Sequence, residues 1–442
     1  MMHVQPSCRA VLPILGCPFW ALQNGNNTLR SVAFGGILSL TGVSMITLKK
    51  LTPSERIELV DAAAGRVPVD LLMGNLKIVN VLSGEIYAGR IGIKHGYIAY
   101  ALAEHEPLLL EDAAIEHFDA GGAYAIPGLI DAHVHIESSM LTPPFFARIV
   151  IPKGTTTVVT DPHEIGNVLG TAGVEYMVEA GRGLPMYQLA LAPSCVPAVP
   201  GLEEAGASFG IDEIASLLEH ERVIGIAEVM DYVGAVNNDR RMRAILDLGL
   251  DKGCFIQGHY FGNSGHELAA YLCSGATSNH EIFTPEAALA AVRNGMIIDA
   301  RDSSFSRNIA AITASIAHLG RIPRFTLCTD DRESEEIVSN GHINDCVRSA
   351  VASGLEPIQA LRAATCHPAA LYGLDKLGAI APGYIANINI IDSIASMQVR
   401  DVFFEGRRVA ADGEMLVAGE PEPHPVTELN SVHIDTLDIG TF

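Results

Sequence analysis

Along 71–100 the hydrophobic positions come in short runs broken by glycine: LLMGNLKIVNV, LSGEIYAG and RIGIKHGYIAY. Runs of this length between turn residues predict β-strands joined in hairpins. The same texture returns at 378–413 in GAIAPGYIANINIID and VRDVFFEGRRVAADG. Together the flanking segments predict one small β-sandwich domain built from both ends of the chain, over 66–122 and 378–418. Between them the pattern changes. Apolar runs rich in β-branched residues recur about every 30 residues, the length of a strand plus a returning helix. They are AIPGLIDAHVHI (125–136), TTTVVTD (155–161), MYQLALAP (186–193), VIGIAEVM (223–230), CFIQGH (254–259), ATSNHE (276–281), MIIDARD (296–302) and RFTLCTDD (324–331). Stretches such as DEIASLLEHE and PEAALAAVRNG separate them as helices. Strands alternating with helices predict an α/β chain with a parallel sheet. Eight such units close a (β/α)8 TIM-type barrel, here over 123–377. An open doubly wound sheet competes, but no Gly-x-Gly-x-x-Gly turn follows the first strand.

Length and charge narrow the picture. The 442 residues suffice for a barrel and one smaller domain. Lys and Arg number 29 against 51 Asp and Glu, a formal net charge of −22. Such a field repels nucleic acid and anionic membranes, so neither is an expected partner, whereas an uncharged nucleobase is not excluded. The eight cysteines contain no Cys-x-x-Cys pair. Cys254, Cys273 and Cys328 fall in apolar segments, as reduced cysteines of a cytoplasmic protein do. No apolar run reaches the roughly 18–20 residues of a membrane span. The first 44 residues contain no acid, and their patchy apolar stretch from Val11 to Leu22 is interrupted by Pro13 and Pro18. A targeting segment would need a basic head before a clean apolar core. Residues 1–44 are therefore read as a poorly ordered extension, with Met45 a plausible true start, and 419–442 as a poorly ordered tail.

The polar residues sit where a barrel places chemistry, at the C-terminal ends of strands. The candidate strands end in His133 and His135, Asp161 and His163, Glu228, His259, His280 with Glu281, Asp302, and Asp330 with Asp331. Singly, each has an ordinary explanation, such as a hydrogen-bonded histidine or a helix-capping aspartate. Jointly, a ring of buried ionisable groups costs several kcal/mol each unless paired or bound to metal. Residues i and i+2 of a strand share a face, so His133 and His135 can reach one ion. Imidazole with carboxylate suits zinc, manganese or iron.

The motifs PGLIDAHVHIESSM, DPHEIGNVLG, PSCVPA, GIAEVMDY, GH at 258–259, NHE at 279–281, and CTDD with GHI at 341–343 resemble the amidohydrolase superfamily. HIESSM, DPHEI and PSCVPA resemble its bacterial adenine deaminases in particular. The resemblance runs from about Val69 to Gly413. It implies that His133, His135 and Asp330 hold one divalent ion and His259 and His280 a second, with Glu228 bridging. The ions would be manganese or iron, with zinc also compatible. VIGIAEVM lacks the lysine with which hydantoinases and dihydroorotases bridge their metals. The implied activity is hydrolytic deamination of adenine to hypoxanthine and ammonia by a metal-activated hydroxide, in purine salvage. Asp330 would take the proton of the water and pass it to the leaving group.

Around that core, His163 either stabilises developing charge and orients substrate or serves structure. Glu137 faces inward if the first strand continues, toward substrate or a ligand imidazole. Glu281 is expected to point away from the ion, and Asp331 to cap a helix beginning at Arg332. The resemblance suggests substrate contacts for Arg301 and Ser303, although the Ser-Ser-Phe-Ser run departs from the small residues usual there. Asn279 and Asn387 stand where the family carries aspartates. Typical adenine deaminases also continue into a further C-terminal domain. Two alternatives remain: hydrolysis of another amino-heterocycle or cyclic amide, and a catalytically silent scaffold homologue. A homo-oligomer is left open.

Overall fold

The computed structural model describes residues 46 and 48–417, apart from 111–112, 263–264 and 317–324. The expectations for 1–44, for Met45 as a start and for the tail at 419–442 fall outside the described residues. Seventeen strands are described. The N-terminal ones are β1 (Val69–Asn80), β2 (Glu85–Lys94), β3 (Tyr97–Ala103), β4 (Ala114–Asp119) and β5 (Tyr124–Pro127). The central ones are β6 (Leu129–Val134), β7 (Thr155–Thr160), β8 (Tyr187–Ala192), β9 (Val223–Val229), β10 (Phe255–Gly258), β11 (Ser278–Asn279), β12 (Ile297–Arg301) and β13 (Phe325–Cys328). The last are β14 (Ile388–Ile391), β15 (Val399–Phe404), β16 (Arg407–Ala411) and β17 (Glu414–Met415).

The central strands are buried at every position. Apolar runs such as those of β8 and β9 are the mark of parallel strands covered on both faces. They pair in parallel as β10-β9-β8-β7-β6 and as β11-β12-β13. Backbone contacts join the groups at both ends: Thr277 N–H donates to Ile256 O at 3.1 Å, and Val134 bridges Asp330. Helices intervene with ordinary sequence signals. Pro285–Arg293 begins at Thr284, whose hydroxyl accepts from Ala287 N–H, with proline in its first turn. Arg240–Lys252 is capped by Asp239 and ends at Gly253 in the left-handed conformation, φ 64°.

Strands from both ends of the chain join one hydrogen-bonded sheet, in the order β17-β16-β15-β14-β5-β1-β2-β3, with β4 also on β1. Leu71, Met73, Ile78, Ile91, Ile388, Ile390 and Phe403 share its apolar core. The segment 125–136, expected to be one strand, is two. Strand β5 pairs with β14 in the flanking sheet, and β6 pairs with β7 in the central one. The crossing falls at Gly128, where a β-carbon would lie 2.2 Å from Thr156 Oγ1 and 3.1 Å from Asn387 Cβ. The segment 276–281 is likewise shorter than expected. Asn279 ends it by accepting from Tyr260 N–H (2.9 Å) and donating to Tyr260 O (2.8 Å). An aspartate could not donate that second bond.

Candidate metal centre

His133 lies within β6, and Val134 ends that strand. His135 follows at the start of a short 3-10 turn, Ile136–Ser139. Both imidazoles nevertheless converge. His133 Nε2 and His135 Nε2 each lie 3.1 Å from Asp330 Oδ1. His135 Nδ1 sits 3.0 Å from the Asp161 carbonyl oxygen, so a proton there leaves Nε2 free to coordinate. Asp330 follows β13 with φ 56°, a left-handed conformation that aspartate tolerates better than most residues.

Glu228, near the end of β9, faces both sides of the cluster. Its Oε1 is 3.6 Å from His135 Nε2 and 3.4 Å from His163 Nδ1. Its Oε2 is 2.5 Å from His259 Nδ1 and 3.1 Å from His280 Nε2. The rings of His133 and His280 stack with centroids 4.4 Å apart. All six residues expected as ligands are buried. Three groups of possible ligand atoms overlap here, each within 4.8 Å: His133, His135 and Asp330; His133, Glu228 and His280; and His135, Asp161, His163 and Glu228. His259 joins His280 and Glu281 in a fourth.

The electrostatics bear the mark of charge packed into a dry site. Burial raises the Glu228 carboxyl, but the charges and hydrogen bonds of His259 and His280 hold it well below the usual range. Asp330 is likewise held low against burial by its bonds to His133 and His135. Burial and the neighbouring His133 press His280 down to about 3, so its imidazole is neutral, as a metal ligand must be. Nδ1 of His133 and His280 and Asp161 Oδ1 are buried without a hydrogen-bond partner, while His163 Nδ1 and Asp161 Oδ2 face each other at 3.2 Å. His163 Nδ1 and the Asp161 carboxylate fall in one of the clustered ligand groups, where a divalent ion would satisfy them, whereas His133 and His280 turn Nε2, not Nδ1, toward Asp330 and Glu228.

The remaining expected residues divide. His163 is half-buried between Asp161 (3.2 Å) and Glu228, and so belongs to the cluster. Arg301, at the end of β12, pairs with Asp330 and with both Glu281 oxygens, at 2.9 and 3.0 Å. Ser303 does not share that position. Its hydroxyl donates to Ser306 O and accepts from Ser306 N–H, both at 2.9 Å, within its own loop. Glu137 is not on a continued strand but in the 3-10 turn. There Oε1 accepts from Ile165 N–H at 3.4 Å and Oε2 is buried without a partner.

Two expectations are overturned. Glu281 points into the site, with Oε1 3.7 Å from His280 Nε2 and 3.8 Å from His259 Nε2. Strand alternation would turn it outward, but β11 ends at Asn279 and alternation ends with it. Asp331 caps no helix. The next helix is Ser334–Asn340, and Asp331 Oδ1 accepts from Ser138 Oγ at 2.5 Å. Glu164 escaped the sequence reading, yet its Oε2 lies 3.5 Å from His135 Nδ1. Its only signal was adjacency to His163 in DPHEI.

Comparison with known proteins gives consistent results. The model of the Amidohydrolase family matches residues 124–409. An adenine deaminase of Kosmotoga olearia is 39% identical over 387 residues, covering 87% of this chain and 66% of that protein. One from Methanothrix thermoacetophila is 41% identical, covering 85% and 64%. Adenine deaminase 2 of Rhizobium meliloti is 42% identical, covering 82% and 60%. The chain thus spans 60–66% of these relatives' length. Among solved structures, a zinc-bound adenosine deaminase from Xanthomonas campestris aligns with TM-score 0.57 at 15% identity, covering 82% of this chain and 96% of that one. A zinc-complexed atrazine chlorohydrolase from Arthrobacter aurescens aligns with TM-score 0.58 at 16% identity, covering 79% and 97%. At such identities the likeness is one of fold.

Proposed function

The chain belongs to the amidohydrolase family, and from that premise we propose that it is a metal-dependent hydrolase that deaminates adenine to hypoxanthine and ammonia. The observation that carries the reading is the Glu228 carboxylate, one oxygen toward His135 and the other toward His259 and His280. That arrangement supports two divalent ions, with manganese, iron or zinc all compatible with the donors. His133, His135 and Asp330 would hold one and His259 and His280 the other, with Glu228 between. Such ions supply a water acidic enough to act as hydroxide near neutral pH.

The chain's own residues do the rest. Asp330 accepts the proton of the attacking water and returns it to the departing ammonia. The exocyclic amino group of adenine leaves from C6 as oxygen replaces it. Arg301 and Glu281, already paired, present a donor beside an acceptor to the edge of a base. His163 orients Glu228 and the reacting groups, and Glu137, with Oε2 buried and unpartnered, contributes to substrate binding. The names of the relatives at 39–42% identity support adenine as the substrate. We further read β6–β13 as a closed (β/α)8 barrel over 123–377. The end-to-end sheet would then be a β-sandwich over 66–122 and 378–418. No helix among the described residues is long and apolar enough to cross a membrane. We place the enzyme in the cytoplasm, in purine salvage, with no nucleic-acid or membrane partner.

Ammonia release tests this. Purified chain loaded with manganese or iron is assayed with adenine, 6-methyladenine, cytosine, a hydantoin and a dihydropyrimidine. Metal-dependent release from adenine, lost in Asp330→Asn, is expected. Turnover of a ring amide with none of adenine overturns the substrate.

A further inference from the structure

Behind the metal-facing side chains lies a buried polar network that the proposed reaction does not use. Asp131, Thr155, Thr329 and His342 are all fully buried. Thr155 Oγ1 lies 2.9 Å from His342 Nδ1, and His342 Nε2 lies 3.2 Å from Thr329 Oγ1. Thr329 Oγ1 donates to Asp131 Oδ2 at 2.5 Å. Since the Thr329 hydroxyl proton goes to Asp131, its oxygen accepts from His342 Nε2–H, and His342 Nδ1 then accepts from Thr155. The chain of bonds therefore runs in one direction and ends on a carboxylate. Bonds so polarised reinforce one another in a dry interior.

The other Asp131 oxygen does something different. Oδ1 accepts two backbone N–H groups, His133 and Thr329, each at 3.2 Å. Those residues belong to opposite sides of a seam. In backbone pairing, strand β6 and the end of β13 meet there through the isolated bridge of Val134 with Asp330. Asp330 N–H donates to His133 O at 3.0 Å, and His135 N–H to Asp330 O at 3.3 Å. All this surrounds a residue whose φ is 56°, a conformation that must be held by its surroundings.

We propose that Asp131, backed by Thr329 and His342, is the positioning group of the metal centre: it ties β6 to the end of β13 and so sets Asp330 against His133 and His135. The inference rests on reading those three residues as ligands of one ion. It gives the GHI sequence at 341–343 a task, since His342 fixes the Thr329 hydroxyl. Thr329→Val removes the hydroxyl at nearly constant volume, while Thr329→Ser keeps it.

The test is chelator competition for manganese on the full chain, alongside thermal melting of the metal-free protein. Thr329→Val is expected to weaken manganese binding roughly 10–100-fold, the usual effect of losing support behind a ligand. Thr329→Ser should restore affinity to within about threefold of wild type. The visible spectrum of the cobalt-loaded protein should shift in Thr329→Val and not in Thr329→Ser. Should Thr329→Val not fold, Asp131→Asn is read in the same two assays, with weakened binding and a shifted spectrum again expected. A lowered metal-free melting temperature with wild-type affinity and spectrum overturns the inference, leaving a network that serves folding alone. A wild-type chain that takes up no manganese or cobalt overturns the ligand assignment itself, and the inference with it.

Discussion

Glu137→Gln offers a test of the site's electrostatics that needs no substrate. In the metal-free chain, burial and the neighbouring Glu164 charge raise Glu137 to about 8 from an ordinary 4.5. A folded-state value above the unfolded one means that the native protein keeps a proton the unfolded chain gives up. Stability from this group therefore falls as pH rises from about 4.5, and the loss is complete above about 8. At ~1.4 kcal/mol per pKa unit, the ceiling is on the order of 5 kcal/mol. Glu164, held near 2 against burial chiefly by the positive charge of His135, relaxes with it. The net cost at pH 9 is therefore expected to be a part of that ceiling. Glutamine keeps the shape and never ionises. Urea unfolding of the chelated wild type and Glu137→Gln at pH 5 and pH 9 measures the difference. The variant should match the wild type at pH 5 and exceed it at pH 9. The same stability difference at both pH values would refute the reasoning, because a packing effect does not titrate.

Gly128→Ala should destabilise the chain by about 1–3 kcal/mol through overpacking against Thr156, seen as a lower denaturant midpoint. An unchanged midpoint would mean that the crossing has room the geometry denies. Glu228→Gln should lower bound metal, measured by elemental analysis, since the amide offers one acceptor where the carboxylate offers two. Full retention of metal would remove Glu228 from the ligand set. Glu281→Gln should reduce kcat/KM for adenine at least tenfold, with bound metal unchanged; wild-type kinetics would return the residue to a structural role.

The alternating α/β order of the centre is legible in the sequence because strands covered on both faces must be apolar throughout. The run VIGIAEVM at 223–230 states this most directly, whereas 155–161 is carried by β-branched threonine and valine. What escapes is local geometry. Strand periodicity carried past its end misplaced Glu281, because Asn279 stops the strand just before it, and Glu137 sits on a 3-10 turn because the first strand stops at Val134. Asp331 looks like a cap only if the helix starts at Arg332, and it starts at Ser334. The crossing at Gly128 is invisible to hydropathy, since both sheets want apolar residues there. The helix Pro53–Ala63 was missed although TPSE spells its capping box, with Thr52 accepting from Glu55 N–H and Glu55 accepting from Thr52 N–H. A polar, weakly patterned helix gives little else to read.

The pairing of Ala125 with Ile390 constrains how the molecule can be made. Every strand from β6 to β13 lies between these partners in the chain, so their ladder closes a very long loop. A contact so distant in sequence forms late, after the intervening strands have drawn the ends together. Strand β5 emerges from the ribosome long before β14 does, and until then one edge of the early sheet waits unpaired. Such an edge is the natural place for one growing chain to capture another. Yield of soluble protein should therefore respond to synthesis rate and chaperone supply more than to changes in the central strands.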